Sequence, residues 1–192
     1  LHPHDAERWD EERSRITALA LDAPAIGEVG LDYYRNLSPQ EDQRRAFRDQ
    51  VHLAADLGKP VIVHTRDSFA DVYEILAEAD LGEKAVLHCW TGGPRWTKRF
   101  RALGATFSFA GPITYTTGDT VRRGAAEAPP ERSLVETDTP YLAPEPHRGE
   151  TNRPEWTRFN GAKLAEVWGM PEDDVARLSA ENATRVFGSP RG

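Results

Sequence analysis

Four side chains able to hold a cation stand at the ends of short apolar runs. Glu28 closes Ala25-Ile26-Gly27, His64 closes Pro60-Val61-Ile62-Val63, and His88 closes Ala85-Val86-Leu87. Asp138 stands just past Ser133-Leu134-Val135-Glu136. A continuously apolar run of this length reads as a strand buried on both faces, the mark of a parallel sheet covered by helices. In a parallel barrel the C-terminal strand ends converge on one face, so residues distant in the chain meet there. Two imidazoles and two carboxylates meeting at one point suit one or two divalent ions, Zn or Mn, with the histidines weighing against Mg. A single strand-end histidine more often serves a structural hydrogen bond. Four such residues on successive strands tip the balance to a metal.

Other polar groups flank these positions. In His64-Thr65-Arg66-Asp67, Arg66 follows a ligand candidate by two residues, and His147-Arg148-Gly149 and Asn152-Arg153-Pro154 place more donors on one loop. Arg66 and Arg148 read equally as phosphate ligands and as solvated charges, whereas Arg153 reads as a surface charge. Asp32 follows Glu28 by four residues, and the rings of Tyr33 and Tyr34 can stack on a base. Cys89 reads as a small buried side chain rather than a soft ligand, and His52 as a surface or packing residue within a helix.

The elements that must position these residues alternate. Ser38, Pro39 and Glu41 form a capping-box signature for a helix with the apolar stripe Phe47, Val51, Ala54 and Leu57, closed by Gly58. Further helices are predicted from about Asp67, with Val72, Ile75, Leu76 and Ala79 inward, and over Trp96 to Leu103, Thr120 to Ala128 and Glu155 to Trp168. A last one carries Val175, Leu178, Val186 and Phe187. Strands are expected at Glu28, His64, His88, Ala105–Phe109 and Ser133–Glu136, with a possible stub at the start. Strand–helix repetition predicts an α/β fold with a parallel sheet. The stretch from Pro140 to Pro154 reads as a long surface loop of the kind that carries function.

The 192 residues suit one globular domain, spanning 1–192. No apolar stretch approaches the roughly 20 residues of a membrane span. One cysteine makes no internal disulfide, so a cytoplasmic location is expected. Thirty-one acids against 24 bases give a net charge of -7, which excludes binding nucleic acid through a broad basic face but not the gripping of a single phosphodiester. Arginine dominates the bases, and its planar fork suits bidentate phosphate contacts.

Within IGEVGLDYYR, VIVHTRD, VLHCWTG, LVETDTPYLAP and RGETNRP, taken in order, the chain resembles the TatD-like metal-dependent deoxyribonucleases. His2-Pro3-His4-Asp5-Ala6 is similar to a further motif of that family, at the end of the strand before the Glu28 strand. The resemblance covers essentially the whole chain. It implies a TIM-type (β/α) barrel of the metal-dependent hydrolase kind and hydrolysis of DNA phosphodiesters, from a 3′ end. It makes Glu28, His64, His88 and Asp138 the metal-ligand positions, the same four that strand-end reasoning selects. Glu28 and Asp138 are then the catalytic pair, and Arg66, Arg148 and His4 the substrate-binding candidates, with DNA ends or single strands as substrate. An ester or amide hydrolase on the same scaffold, such as an aminoacyl-tRNA deacylase, and a catalytically weak metal-binding remnant remain as alternatives. The family opens with a strand bearing a His-x-His pair, and no such pair precedes His2. The chain is therefore expected to be the C-terminal three-quarters of the domain, lacking its first strand–helix units. Asn152-Arg153-Pro154 departs from the family where an acid more often stands between Asn and Pro.

Overall fold

The computed structural model describes residues 1–189. Its contacts fall into two compact units. The first takes residues 1–88, 103–105 and 186–188; the second takes 89–102, 106–185 and residue 189.

The first unit opens with a 3-10 turn, Pro3–Arg8, running into helix α1, Trp9–Asp22. The possible opening strand is thus absent, because Pro3 and the acidic Asp5 start a helical turn instead. Three parallel strands follow, β1 (Ile26–Asp32), β2 (Val61–Arg66) and β3 (Ala85–Leu87). Helices α2 (Gln40–Leu57) and α3 (Phe69–Ala79) connect them. Phe47, Val51 and Ala54 of α2 are buried, as are Val72, Ile75 and Leu76 of α3. Gly58 closes α2 in the left-handed conformation that glycine accepts without strain.

The expected capping box does not form. Ser38 is buried, and its hydroxyl donates to the carbonyl of His4 at 2.8 Å rather than serving the helix end. Pro39 takes the cap position without a side-chain bond. Buried Gln43 ties this junction together, donating to Ser38 O and accepting from Asp32 N, each at 2.8 Å.

Register places the chemistry. In the β1–β2 pairing Ile26 faces Val61, Val29 faces Val63, Gly30 faces His64 and Asp32 faces Arg66. Three residues of β1 therefore span two of β2 between the first two pairs, a bulge containing Gly27 and Glu28. Such an extra residue re-aims a side chain without ending the strand. Gly30 lies at φ +128°, and a Cβ there would fall 2.1 Å from the His64 carbonyl oxygen, so only glycine permits this approach. Val63 faces Leu87 in β2–β3, and His88 N donates to Val63 O at 3.0 Å, so the next step of the ladder sets His88 beside His64.

In the second unit β4 (Thr106–Phe109) pairs in parallel with β5 (Ser133–Val135). Helices α4 (Pro94–Ala102), α5 (Asp119–Ala125), α6 (Thr157–Trp168) and α7 (Glu172–Phe187) complete the alternation. Trp90, Phe100, Phe107, Phe109 and Ile113 form its core, with the Trp90 ring 5.2 Å from Phe100 and 5.5 Å from Phe107. The Trp90 indole N–H donates to Thr97 at 2.9 Å, so the buried indole keeps a partner. No helix among the described residues is long and apolar enough to cross a membrane.

Candidate metal centre

Glu28 does not close its strand, contrary to expectation. β1 runs on to Asp32, and Glu28 reaches the site through the bulge. One of its carboxylate oxygens lies 2.8 Å from His64 Nδ1 and 3.7 Å from His88 Nε2; the other lies 3.9 Å from His2 Nε2. Donor atoms of His2, Glu28 and His64 all fall within 4.8 Å of one another. Three of the four predicted ligands are thus brought together, and His2, marked beforehand only as part of a motif, joins them.

Behind the cluster stands Asp32, 1% exposed. Its Oδ2 lies 2.8 Å from His4 Nε2 and 3.2 Å from His64 Nε2, while Oδ1 accepts the Arg35 backbone N–H at 2.8 Å. His64 therefore offers Nδ1 to the Glu28 side and keeps Nε2 on a buried carboxylate. That is the arrangement that fixes the tautomer and orientation of a metal-ligating imidazole. His4 belongs to this supporting layer.

Electrostatics agree with the geometry. Burial is the main influence on His2 and lowers its pKa to about 4, so at neutral pH its ring is uncharged and has a lone pair to give. Burial works to raise Glu28, but the His64 hydrogen bond and the charges of His88, His64 and His2 outweigh it and hold the carboxyl below its usual range. Asp32 is likewise lowered: the Arg35 N–H, His4 and His64 overcome burial. A neutral His2 imidazole beside an ionised Glu28 carboxylate is the pairing a divalent ion needs, and an N/O donor set fits Zn, Mn or a similar ion.

Asp138 lies in the second unit, just past β5, at φ +59°. The backbone there is held firmly. Asn160 Nδ2 donates to Glu136 O at 2.7 Å, Asn152 Nδ2 donates to Thr137 O at 2.6 Å, and Tyr141 N donates to Asp138 O at 2.8 Å. A non-glycine residue held at positive φ by its surroundings is a feature that gathers at functional sites. Asn152 is buried and braces the loop from within, also donating to Tyr141 O. The two arginine candidates each lie over a tyrosine: the Arg66 guanidinium carbon is 3.9 Å from the Tyr34 ring centre, and that of Arg148 is 3.8 Å from Tyr115. Exposed Arg153 lies 5.6 Å from Trp156. Cys89 is partly buried and donates its backbone N–H to Glu136 at 2.5 Å, and His52 is exposed.

A parallel α/β fold with a histidine–carboxylate cluster on neighbouring strands defines a metal-dependent hydrolase. The chain belongs to the TatD-related DNase family, whose model matches residues 1–188 and so spans both units. YabD of Bacillus subtilis strain 168, named an uncharacterized metal-dependent hydrolase, is 36% identical over 192 residues, covering 97% of this chain and 74% of the relative. A Cronobacter sakazakii protein named 3'-5' ssDNA/RNA exonuclease TatD is 38% identical over 197 residues, with 97% and 74% covered. Among solved structures, the TatD homologue YjjV of Escherichia coli K12 superposes with a TM-score of 0.81 at 27% identity, over 94% of this chain and 83% of its own. A TatD-family hydrolase of Entamoeba histolytica shares the fold, with a TM-score of 0.82 at 18% identity, over 98% of this chain and 73% of its own. The expected TIM-type α/β fold of the metal-dependent hydrolase kind, and the dependence on divalent metal, are borne out.

Proposed function

We propose that this protein hydrolyses phosphodiester bonds of single-stranded DNA, working from the 3′ end. The observation that carries the reading is the His2–Glu28–His64 cluster backed by buried Asp32, in a chain whose Cronobacter relative is named a 3'-5' exonuclease. Glu28, His64 and His88 would hold the ion, with His2 beside them, and Asp138 would serve as a further ligand. Bound there, a divalent ion would supply an acidified water near neutral pH and neutralise charge on the phosphate.

The chain's own side chains do the rest. Asp138 accepts the proton of the attacking water, a general-base role. Arg66 and Arg148 direct guanidinium N–H groups at the non-bridging phosphate oxygens while their flat faces stay on the tyrosines. His4, whose Nε2 is held on Asp32 Oδ2 at 2.8 Å, is assigned to the substrate as a further contact beside the cluster. A grip on one or two phosphates needs no broad basic surface, in keeping with the net charge of -7.

The test uses single-stranded DNA labelled at either end, with Mg, Mn or Zn supplied after chelation. Stepwise loss from the 3′ end, abolished by chelator, is expected, and Asp138→Asn should cut turnover by roughly 10²–10⁴-fold with the fold retained. Efficient cleavage of aminoacyl esters with intact DNA ends would overturn the reading in favour of an ester hydrolase.

A further inference from the structure

Tyr33 and Tyr34 are adjacent, yet the fold treats them differently. Tyr33 is half-buried: its hydroxyl donates to Asp71 at 2.5 Å and accepts from Arg44 at 3.1 Å, which locks it between α2 and α3. Among the described residues Tyr34 has no such tether, and it is 62% exposed. Its ring carries the Arg66 guanidinium at 3.9 Å, a cation–π contact that costs the arginine none of its N–H donors. An exposed aromatic ring is a surface on which a base can stack, and an arginine beside it adds a cation–π contribution.

The ring is also rigidly referenced to the metal cluster. Arg66 lies two residues, about 7 Å, beyond His64 on β2. Tyr34 sits in the turn that follows β1, and that turn is built on Asp32: Arg35 N donates to Asp32 Oδ1 at 2.8 Å and Asn36 N to Asp32 O at 3.1 Å. Tyr33 N donates to Arg66 O at 2.9 Å, joining the turn to the end of β2. The same Asp32 carboxylate holds His4 and His64. One buried carboxylate thus sets the position of both the ligating imidazole and the exposed ring. Groups held this way bind without an ordering cost at the moment of contact.

We propose that Tyr34, clamped by Arg66, is a nucleobase-stacking subsite that takes an unpaired base next to the phosphate held at the cluster. The proposal rests on the nuclease reading and adds to it a requirement for an unstacked base. A base within duplex DNA has both faces covered by its neighbours, so the subsite selects single strands and frayed ends. Stacking is blind to base identity and to the sugar, so this selection acts on strand state rather than sequence.

The test reads binding without turnover. A single-stranded oligodeoxynucleotide carrying 2-aminopurine at its 3′-terminal position is titrated with metal-free protein in chelator. An otherwise identical strand, labelled at its 5′ end and abasic at the 3′-terminal position, is titrated alongside. Wild type should quench the 2-aminopurine and bind the base-bearing strand roughly tenfold more tightly than the abasic one. Tyr34→Leu should abolish the quench and bring the two affinities together, while Tyr34→Trp should keep both effects. An RNA version of the base-bearing strand should behave like the DNA. Equal loss of both strands in Tyr34→Leu, or an unchanged ratio, would overturn the subsite. Hydrolysis of the same strands by metal-loaded wild type separates this outcome from failure of the nuclease reading, because binding is scored whether or not cleavage occurs.

Discussion

Asp32 is buried with both carboxylate oxygens engaged, one by His4 and His64 and the other by the Arg35 N–H. Asp32→Asn keeps the shape but leaves an amide where an anion held the imidazole. Metal affinity should fall about 10–100-fold, as for other residues that hold a ligating histidine from behind; competition against a chromogenic chelator measures it. Unchanged affinity would remove Asp32 from the support of the site. His2 gives a second prediction, in the pH dependence of the metal-free protein. Its folded pKa of about 4 lies below the usual 6.5. Between those values the unfolded chain binds a proton that the folded site refuses, so stability rises with pH across about 4 to 6.5 and falls on acidification. Glu28, whose pKa is also lowered, contributes stability above its unfolded value that is lost as pH falls through its folded one. His2→Gln is neutral throughout and should shrink the stability difference between pH 7 and 4.5 by about 1–3 kcal/mol, allowing for screening at a side chain still 29% exposed. Urea titrations in chelator at both pH values provide the check, and identical differences in the two proteins would refute it.

At the scale of elements, the buried parallel strands were the most legible feature, because Val61–Val63 and Ala85–Leu87 are apolar without interruption and nothing but a covered sheet accommodates them. Helix α1 is not legible in the sequence. Its apolar residues form no stripe: Leu19 and Leu21 are 61% exposed, and burial rests on Trp9 and Ala20. His64 and His88 were legible from position alone. Glu28 was found for a reason only partly right, since the bulge that aims it depends on register with β2 and leaves no local trace. Asp32 stands out in the sequence only as a polar group four residues past Glu28, because its histidine partners are 28 and 32 residues away. Since α1 buries so little, its end needs other support. Lys59 supplies it, the ammonium donating to Ala20 O, to Leu21 O at 2.6 Å and to Ala23 O at 2.7 Å. A cation on orphan carbonyls at a helix C-terminus offsets both their lost partners and the dipole. Lys59→Met should lower stability by about 1–2 kcal/mol. Lys98→Met, which removes only a surface ion pair with Glu127, should change it by under about 1 kcal/mol. Chemical denaturation of the two variants decides, and equal effects would deny Lys59 its capping role.

For the molecule as a whole, the net charge of -7 bears directly on how a polyanionic substrate is held. A protein that covers many phosphates with basic side chains releases a counterion at each, and its affinity falls steeply with salt. Here many of the basic side chains are already engaged by acids of the same chain, as in Arg8–Glu12, Arg45–Asp10 and Arg177–Glu181. The proposed phosphate contacts come down to Arg66 and Arg148, whose described partners are aromatic rings rather than carboxylates. With about 0.7 counterions released per phosphate neutralised on a single strand, two contacts give a slope of about -1.4 in log affinity against log salt. Measured between 50 and 300 mM salt on a short single strand, the slope should stay near that value. It should fall towards about -0.7 in Arg66→Gln, because one contact is then lost. A wild-type slope steeper than about -3 would mean that a basic surface outside these two residues carries the strand, and the picture of an acidic protein gripping one phosphodiester would have to be abandoned.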